Sequence, residues 1–424
     1  MGSFRFIHTA DIHLDSPLKG LSGQDGKVAA RIRTATREAF DNLVGHAIEE
    51  AVAFIVIAGD LYDGDWRDYH TGLFFTGQMG RLAKAGIPVY VVYGNHDAES
   101  QMTKRLELPD NVKVFSARKP QTFTIKELHV ALHGQSFRQR DVSENLMLAY
   151  PEPVAGVFNI GVLHTGLGGM DSHPNYAPCA LDDLVNKGYQ YWALGHVHRR
   201  SVLHERPHVV VPGNIQGRNI RETGPKGAYV VTVADGEVAE LALFEADIVR
   251  WAVIPVAVDG YSGVADVVDA MRNVIEQVVA GGSDRRLLVG NVRLQGRTEL
   301  HDQLVASAEH LLAEARGVAL GLGDEVAWVE RLVVATEPVV DRATLAARED
   351  AMGELQRILI GAEHDPEVLE AMKTEIGDFI RDLPHEVRAD AEDEILKAAI
   401  AGDHVGLIGR VTDYLTARIA GEER

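Results

Sequence analysis

The chain has 424 residues, of which 62 are acidic and 42 basic, and its formal net charge of −20 argues against a protein that coats nucleic acid through bulk charge. Its length exceeds what one ordinary hydrophobic core supports, so we expect two or three domains. Hydrophobic residues make up 46% and charged residues 25% of the chain, a balance that excludes a largely disordered protein.

Short apolar runs alternate with amphipathic stretches over residues 1–250. The amphipathic stretches predict helices at Ala29–Ala51 and Tyr69–Ala85. The apolar runs predict buried strands, because each is rich in β-branched or aromatic residues and ends in Gly, Asp, Asn or His. These runs are Phe4–Ala10, Phe54–Ala58, Val89–Tyr93, Val130–His133, Asn159–His164, Tyr191–Leu194, His208–Pro212, Ala228–Val233 and Val238–Phe244. The order predicts an α/β domain built on two stacked sheets, with helices outside.

The pattern changes near residue 250, where a second region begins. Residues 256–335 alternate strand and helix, which predicts a small α+β domain. We expect it to be a capping or DNA-binding domain. Its predicted elements after the first strand are Val264–Ala280, Leu287–Gln295, Glu299–Ala315 and Val326–Val334. Residues 338–424 are almost wholly helical in pattern, and residues 331–424 hold 21 acidic but 11 basic residues. We therefore expect three domains, at 1–250, 256–335 and 338–424.

Cysteine content and hydropathy bear on the compartment. Cys179 is the single cysteine of the chain, so an internal disulfide framework is excluded and a reducing cytoplasm is expected. No apolar run reaches the roughly 20 residues that a bilayer span needs. The first residues also lack the pattern of a signal peptide.

Five short polar motifs stand directly after predicted strands. They are Asp11-Ile-His13, Gly59-Asp60, Gly94-Asn95-His96-Asp97, His164 and Gly195-His196-Val197-His198. The carboxyl ends of strands in an open α/β sheet are where ligands collect. Asp, Asn and His supply oxygen and imidazole donors, which suit hard or borderline divalent cations. The motifs therefore predict a metal site at this edge of the sheets.

Each motif alone is weak evidence for a metal. A Gly-Asp pair after a strand is usually a turn, and a single histidine such as His164 is more often packed in a core or solvated. Residues two apart project to the same side of an extended chain, so both members of a D-x-H or H-x-H motif can reach one cluster. Taken together and in this order, the motifs predict a dinuclear site in which Asp60 bridges the two cations.

The motif order resembles that of the calcineurin-like metallophosphoesterase superfamily. The stretches His8–Asp15 and Tyr191–Arg199 are similar to the SbcD-type DNA-repair exonuclease subunit. The stretches Pro212–Arg218 and Glu222–Gly227 are similar to its YhaO-like subgroup. The resemblance covers about residues 4–245, is weak over 256–335 and is nearly absent beyond.

The resemblance implies a role for each motif residue. One metal would be held by Asp11, His13, Asp60 and His198. The other would be held by Asp60, Asn95, His164 and His196. His96 would contact the substrate phosphate and protonate the leaving oxygen, with Asp97 fixing its orientation. Mn²⁺ is the expected metal, because the donor set mixes oxygen and imidazole, while Mg²⁺, Fe²⁺ and Zn²⁺ stay open.

One position departs from the family pattern, and several arginines lie near the motifs. SbcD-type nucleases often have a histidine three residues after the second motif's aspartate, where this chain has Asp63. The extra charge would weaken DNA binding or alter exonuclease polarity, or the residue simply caps a helix. Arginine suits bidentate contact with phosphate, although each is individually more often a solvated surface residue. The candidates are Arg31, Arg33, Arg37, Arg199 and Arg218.

The resemblance implies a metal-dependent DNA exonuclease of a DNA repair complex, a hydrolase of phosphodiester bonds. Its substrate would be DNA, and its partner a separate SbcC-like ATPase of the SMC type, since no G-x-x-x-x-G-K-[ST] motif is present here. We expect the helical region at 338–424 to dock that partner, and a homodimer stays open. Two alternatives stand: a small-substrate or protein phosphatase that uses the same metal site, and a non-catalytic clamp subunit.

Overall fold

The structure is a computed structural model that describes residues 2–16, 26–63, 69–99, 107–168, 176–282, 286–323, 325–340, 342–383 and 394–422. The chain forms two compact units. The first comprises Met1–Ala252 with Gly282–Val289, and the second comprises Val253–Gly281 with Gly290–Arg424.

The first unit contains two six-stranded sheets. In chain order its strands are β1 (Phe4–Thr9), β2 (Phe54–Ala58), β3 (Val89–Val92), β4 (Val112–Val114), β5 (Gln121–Ile125), β6 (Val130–Gly134), β7 (Phe158–His164), β8 (Tyr191–Gly195), β9 (Ser201–Glu205), β10 (His208–Val211), β11 (Gly227–Ala234) and β12 (Glu237–Glu245). Its helices are α1 (Gly26–Glu49), α2 (Tyr69–Lys84), α3 (Asn95–Glu99) and α4 (Leu181–Asn186), with 3-10 turns at Lys126–Leu128 and Leu146–Ala149.

The strand orders place the motif-bearing strands side by side. One sheet has the order β12-β11-β1-β2-β3-β4 and the other β5-β6-β7-β8-β10-β9. Strands β1, β2, β3 and β4 run parallel to one another, as do β6, β7, β8 and β10. Parallel neighbours end at the same edge of their sheet, so the polar segments after β1, β2 and β3 meet, as do those after β7 and β8.

The core of the first unit lies between the sheets and under the helices. Alternate residues of β2 go to opposite faces: Phe54 joins a cluster shared with the other sheet, and Ile55 joins one formed with α1 and α2. Both faces are therefore buried, which explains the continuous apolar run in the sequence. Phe6 stacks on Phe54 at 4.9 Å between ring centroids and meets Tyr191 of the other sheet edge-on at 5.3 Å.

Three strands of the first unit are absent from the sequence prediction. Strand β4 is an edge of the first sheet, and β5 and β9 are the two edges of the second. In β5, residues 121–125 alternate between exposed and half-buried positions, so no apolar run marks the strand. Edge strands of this kind carry polar side chains toward solvent, and apolar periodicity does not reveal them.

The second unit holds a three-stranded sheet in the order β13-β14-β15. The strands are β13 (Val249–Ala257), β14 (Leu287–Thr298) and β15 (Ala327–Pro338), with helices α5 (Val264–Ala280), α6 (His301–Ala306) and α7 (Ala308–Gly321). The single helix predicted at Glu299–Ala315 is wrong in one respect: it is divided at Ser307, whose φ of −101° and ψ of 15° leave the helical region.

The C-terminal region of the second unit is helical. Its helices are α8 (Arg342–Ala346), α9 (Ala351–Ala362), α10 (Pro366–Asp382), α11 (Glu394–Ala401) and α12 (His404–Glu422). Helix α12 packs against α6 and α9, where Leu407 and Ile408 are buried. Among the described residues, no helix combines the length and apolarity that a bilayer crossing requires. The two sheets flanked by helices, the small third sheet and the terminal helices confirm the predicted fold class.

Candidate metal centre

The five predicted motifs converge at the carboxyl ends of β1, β2, β3, β7 and β8. Backbone hydrogen bonds tie the segment after β1 to the segment after β2: Asp11 N donates to Gly59 O at 2.9 Å and His13 N to Asp60 O at 3.1 Å. The segment after β8 joins them, since His196 N donates to both carboxylate oxygens of Asp11 at 3.0 Å. Asp11 and His196, which are 185 positions apart in the chain, thus share one site.

The backbone of this site is held in an unfavourable conformation. Asp11, His13, Asp60 and His196 have φ values of 49°, 46°, 51° and 97°, in the left-handed region that non-glycine residues rarely adopt. Such residues persist only where the surrounding structure fixes them, and they cluster at functional sites. Gly94 allows a close approach, because a Cβ atom there would clash with Asp60 Oδ1 and with the His164 ring.

Among the residues that the structure describes, three overlapping groups of side chains could each hold a metal ion, with ligand atoms within 4.8 Å of one another. The groups are Asp11, His13 and His198; His13, Asp60 and His96; and Asp60, His164 and His196. The first and third coincide with the two ligand sets that the family resemblance implies, apart from Asn95 and the bridging member. Asn95 Oδ1 lies 3.0 Å from His164 Nε2, beside the third group.

The donor atoms in this site point at one another. His13 Nε2 lies 3.2 Å from His198 Nε2, and His164 Nε2 lies 3.4 Å from Asp60 Oδ2. The other nitrogen of His164 faces the Ala58 carbonyl oxygen at 2.9 Å, so Nδ1 carries hydrogen. Imidazoles held in this way, with one nitrogen bonded outward and the other turned inward, are typical metal ligands.

The charged groups of the site are buried and lie close to one another. Burial raises the pKa of Asp11 to about 7 even though His164 opposes the shift. Burial acts in the same sense on Asp60, but His164 holds the pKa of that carboxyl well below its usual value. Burial lowers the pKa of His164, and the charges of Asp60 and Asp11 outweigh it and raise that pKa to about 9. Carboxylates buried at 0–1% exposure require cationic partners, and divalent ions would fit these donors.

His96 differs from the histidines around it. Its side chain is 31% exposed, against 1% for His13 and 0% for His164. Its Nδ1 lies 3.1 Å from Asp63 Oδ1, and its backbone N donates to Asp60 Oδ1 at 3.0 Å. Burial lowers the pKa of His96, but the hydrogen bond to Asp63 and the charge of Asp60 raise it overall. A histidine with a raised pKa and partial access to solvent can donate a proton to a substrate.

Asp97 is hydrogen-bonded to the backbone of two segments of the site. Its carboxylate accepts hydrogen bonds from the backbone N–H groups of Leu61, Tyr62 and Gly94, at 3.1, 3.0 and 3.0 Å. It therefore fastens the segments after β2 and β3 to each other. The carboxylate beside His96 Nδ1 is that of Asp63, which sequence reasoning treated as a departure from the family and did not connect with His96.

The five candidate arginines have different surroundings. Arg218 is nearest the centre, with Nη2 at 3.1 Å from His198 Nδ1. Arg37 forms a bidentate pair with Asp15, at 2.6 Å for both hydrogen bonds, so a phosphate would have to compete with that carboxylate. Arg33 is exposed on α1, where Arg31 is half-buried, and Arg199 is exposed after β8. Their role in substrate binding stays a prediction.

Family models match two regions of the chain. Residues 4–200 match the model described as calcineurin-like phosphoesterase, and residues 251–337 match the model described as metallophosphoesterase YhaO, middle domain.

Curated relatives match about half of the chain. Over 238 residues the chain is 42% identical to "Uncharacterized metallophosphoesterase YhaO" of Bacillus subtilis (strain 168), covering 55% of this chain and 58% of that protein. It is 29% identical over 211 residues to "DNA double-strand break repair protein Mre11" of Sulfurisphaera tokodaii, covering 48% and 51%. The protein of the same name from Methanopyrus kandleri is 26% identical over 225 residues, covering 48% and 47%.

The matches thus span about half the length of these relatives. The candidate metal ligands and strands β1–β8 lie within the region that the calcineurin-like phosphoesterase model matches. Residues 4–200 are therefore similar to the calcineurin-like phosphoesterase family.

Proposed function

We propose that the chain is a divalent-metal-dependent DNA nuclease, an exonuclease that hydrolyses phosphodiester bonds during DNA repair in the cytoplasm. The observation that carries the proposal is the convergence of buried aspartate and histidine donors beside a more exposed histidine, His96. The distant relatives named as DNA double-strand break repair proteins support DNA as the substrate class.

We assign the metal ligands as the family pattern implies, with Asp60 shared between two ions. Asp60 belongs to two of the three candidate groups and stands between His13 on one side and His164 on the other. Two divalent cations bound there would polarise the scissile phosphodiester and lower the pKa of an attacking water. Mn²⁺ is our choice, since oxygen and imidazole donors are mixed and thiolates are absent from the set.

His96 is our candidate for the general acid, and Asp63 for the group that orients it. Asp63 accepts from His96 Nδ1, which turns the Nε2–H of the ring toward the site. In the reaction His96 gives this proton to the departing oxygen of the phosphodiester. Ser16 Oγ donates to the second oxygen of Asp63 at 2.7 Å, which fixes the carboxylate. We transfer the orienting role from Asp97 to Asp63 on this geometry.

Arg218 is our strongest candidate for a phosphate contact within the site. Its Nη1 lies 3.4 Å from Ser16 Oγ, a long hydrogen bond, while Nη2 faces Glu222 and His198. The guanidinium is fixed on one side and can offer its other N–H groups to a phosphate oxygen.

The proposed partner is an ATPase of the SMC type that docks on the C-terminal helices. Helix α12 is occupied by its contacts with α6 and α9, whereas α10 has no buried residue and exposes Phe379 by 60%. In a pull-down, the Phe379→Glu variant should fail to bind the partner. The Thr374→Glu variant, changed on the same helix, should still bind it. Loss of a self-interaction instead would indicate the homodimer.

The experiment that tests the function compares substrates under controlled metal. Purified protein is incubated with single- and double-stranded DNA labelled at either end, in Mn²⁺, Mg²⁺ or EDTA, and with bis(p-nitrophenyl) phosphate and p-nitrophenyl phosphate. Degradation of DNA and of the diester in Mn²⁺, abolished by EDTA, supports the nuclease. Hydrolysis of the monoester alone would favour the phosphatase alternative. Inactivity on every substrate with both metals bound would favour the clamp.

A further inference from the structure

Glu222 lies beneath the metal centre, although neither the family motifs nor the proposed mechanism gives it a role. It belongs to the Glu222–Gly227 stretch that follows β10 and precedes β11 in sequence, and it is only 9% exposed. One carboxylate oxygen, Oε1, lies 2.8 Å from His198 Nδ1. The other, Oε2, accepts from Asn214 Nδ2 and from Arg218 N, both at 2.7 Å. The carboxylate is thus fixed from several directions.

The surroundings of His198 Nδ1 decide which ring nitrogen carries hydrogen. In the described part of the chain, Glu222 Oε1 lies 2.8 Å from this atom and can only accept, and Arg218 Nη2 lies 3.1 Å from it and can only donate. They demand opposite tautomers of the ring. The carboxylate is nearer, and Arg218 Nη2 has a second acceptor in Glu222 Oε1 itself at 3.3 Å. When Nδ1 carries the hydrogen, it donates to Glu222 Oε1, and Arg218 Nη2 donates to that same oxygen instead of to the ring.

With hydrogen on Nδ1, the lone pair of His198 is on Nε2. That atom faces His13 Nε2 at 3.2 Å, inside the first group of donors. The backbone of His198 is held as well, because Lys226 Nζ donates to its carbonyl oxygen at 3.0 Å. Residues of one short stretch therefore hold both the ring and the main chain of this histidine.

We propose that Glu222 is a positioning residue that fixes the His198 imidazole with hydrogen on Nδ1, so that Nε2 presents its lone pair to one of the two divalent ions. The proposal rests on the ligand role assigned to His198 above. A carboxylate hydrogen-bonded to the outer nitrogen of a ligand histidine orients the ring and raises its basicity, and loss of such a partner costs 10- to 100-fold in metal affinity.

The test measures metal affinity and needs no substrate. Metal-free full-length protein is titrated with Mn²⁺ by calorimetry, and bound ions are counted by elemental analysis. Glu222→Gln keeps the side-chain shape but places an amide group among donors. We expect it to weaken one of the two binding events about 10- to 100-fold and leave the other within about twofold. Glu240→Gln, which removes one exposed acid from β12, is the charge-matched control and should bind both ions as the parent does.

A double-variant comparison shows whether Glu222 acts through His198. His198→Ala alone should weaken the same event, and adding Glu222→Gln to it should cause little further loss, because the ring that Glu222 orients is gone. An equal loss from Glu222→Gln in both backgrounds, or full affinity in the single variant, would overturn the inference. Full affinity in His198→Ala would instead overturn the ligand assignment, so the two failures are distinguishable.

Folding of the variants is checked separately. Thermal unfolding of the metal-free proteins shows whether each variant folds, and we expect Glu222→Gln to unfold at a lower temperature than the parent because it removes the buried ion pair with Arg218. Should Glu222→Gln fail to fold, Glu222→Asp provides the measurement, because it keeps the charge and withdraws the carboxylate from the ring. We expect the same event to be weakened in that variant, and unchanged affinity there would also contradict the proposal.

Discussion

Asp60 is the residue on which both proposed metal positions depend. Its carboxylate is 1% exposed and lies near His13, His96 and His164. Asp60→Ala should therefore lose both ions, whereas Asn95→Ala should lose mainly the ion held beside His164. Elemental analysis of the purified variants, with Asp110→Ala as a surface control, measures this directly. Two retained ions in Asp60→Ala would contradict the bridging assignment.

Substitution of His96 should lower turnover without removing the bound metal ions. His96→Asn should keep both ions and lower turnover on DNA by about 10²–10⁴-fold, the range for a lost general acid. A nitrophenyl ester should be less affected, because its leaving group scarcely needs a proton.

Asp63→Asn provides the companion measurement. Asp63 contributes to the raised pKa of His96, so its loss should shift the alkaline limb of the turnover profile to lower pH. For the His96→Asn variant described above, loss of a bound metal ion would mean that His96 is a metal ligand.

His8 gives a pH dependence of stability that is independent of the metal. Burial lowers its pKa from 6.5 to about 3, and the ring bonds to Tyr191 Oη and the Leu194 carbonyl oxygen at 3.0 and 3.1 Å. The unfolded chain then binds more protons below pH 6.5, so His8 stabilises the fold fully above that pH and progressively less as pH falls toward 3.

Urea unfolding of the parent and of His8→Gln at several pH values checks this. The difference in unfolding free energy between them should shrink by up to about 1.4 kcal/mol per pH unit below pH 6. A difference that does not change with pH would mean that His8 titrates normally in the folded protein.

At the scale of elements, the junction after β3 depends on the absence of a side chain at Gly94. Gly94→Ala would push a Cβ atom into Asp60 Oδ1 and the His164 ring, so we expect loss of bound metal and a lower melting temperature. Gly80→Ala in α2 is the matched control, because nothing lies within 4 Å of a Cβ there. That substitution should stabilise the protein by about 0.4–1 kcal/mol. Equal melting temperatures for the two variants would refute the packing argument.

Helices and strands differed in how accurately the sequence predicted them. Strand β2 was predicted with its observed ends, because both faces are buried and the run Phe54–Ala58 is continuously apolar. Helix α5 was predicted equally well at Val264–Ala280, because its apolar residues recur at helical spacing. The edge strands β4, β5 and β9 escaped prediction since half of each faces solvent. The break at Ser307 escaped because apolar spacing continues across it.

For the whole molecule, the metal centre should contribute to stability. A ligand that binds the folded but not the unfolded state stabilises the fold by about 2.7 kcal/mol when its free concentration is 100 times Kd. Adding Mn²⁺ to metal-free protein should therefore raise the melting temperature, and EDTA should reverse the rise. Asp60→Ala should show no rise. A parent protein that gains nothing from Mn²⁺, Mg²⁺, Fe²⁺ or Zn²⁺ would contradict a preformed divalent-metal site.

The division of the whole chain was only partly visible in the sequence. Residues 253–281 and 290–424 form one compact unit, in which α12 packs against α6. The sequence does not reveal which helix covers the buried Leu407 and Ile408 of α12. The separate domains predicted at 256–335 and 338–424 stay a prediction.

The sequence by itself determined which residues gather at the strand ends. Asp11, His13, Asp60, His164 and His196 were predicted to lie together because parallel strands end at one edge and their polar motifs follow at once. This inference needs only local pattern and chain order, which a single sequence contains.

Only the tertiary structure decided which carboxylate contacts which histidine of the site. His96 contacts the carboxylate of Asp63, which is 33 positions away in the chain. The carboxylate of Asp97, its neighbour in sequence, accepts from the backbone of the segment after β2. Glu222 meets His198 across 24 positions that fold through two strands. Such pairings depend on loop paths and strand register, and these are set by the packing of the whole unit, not by the residues nearby in sequence.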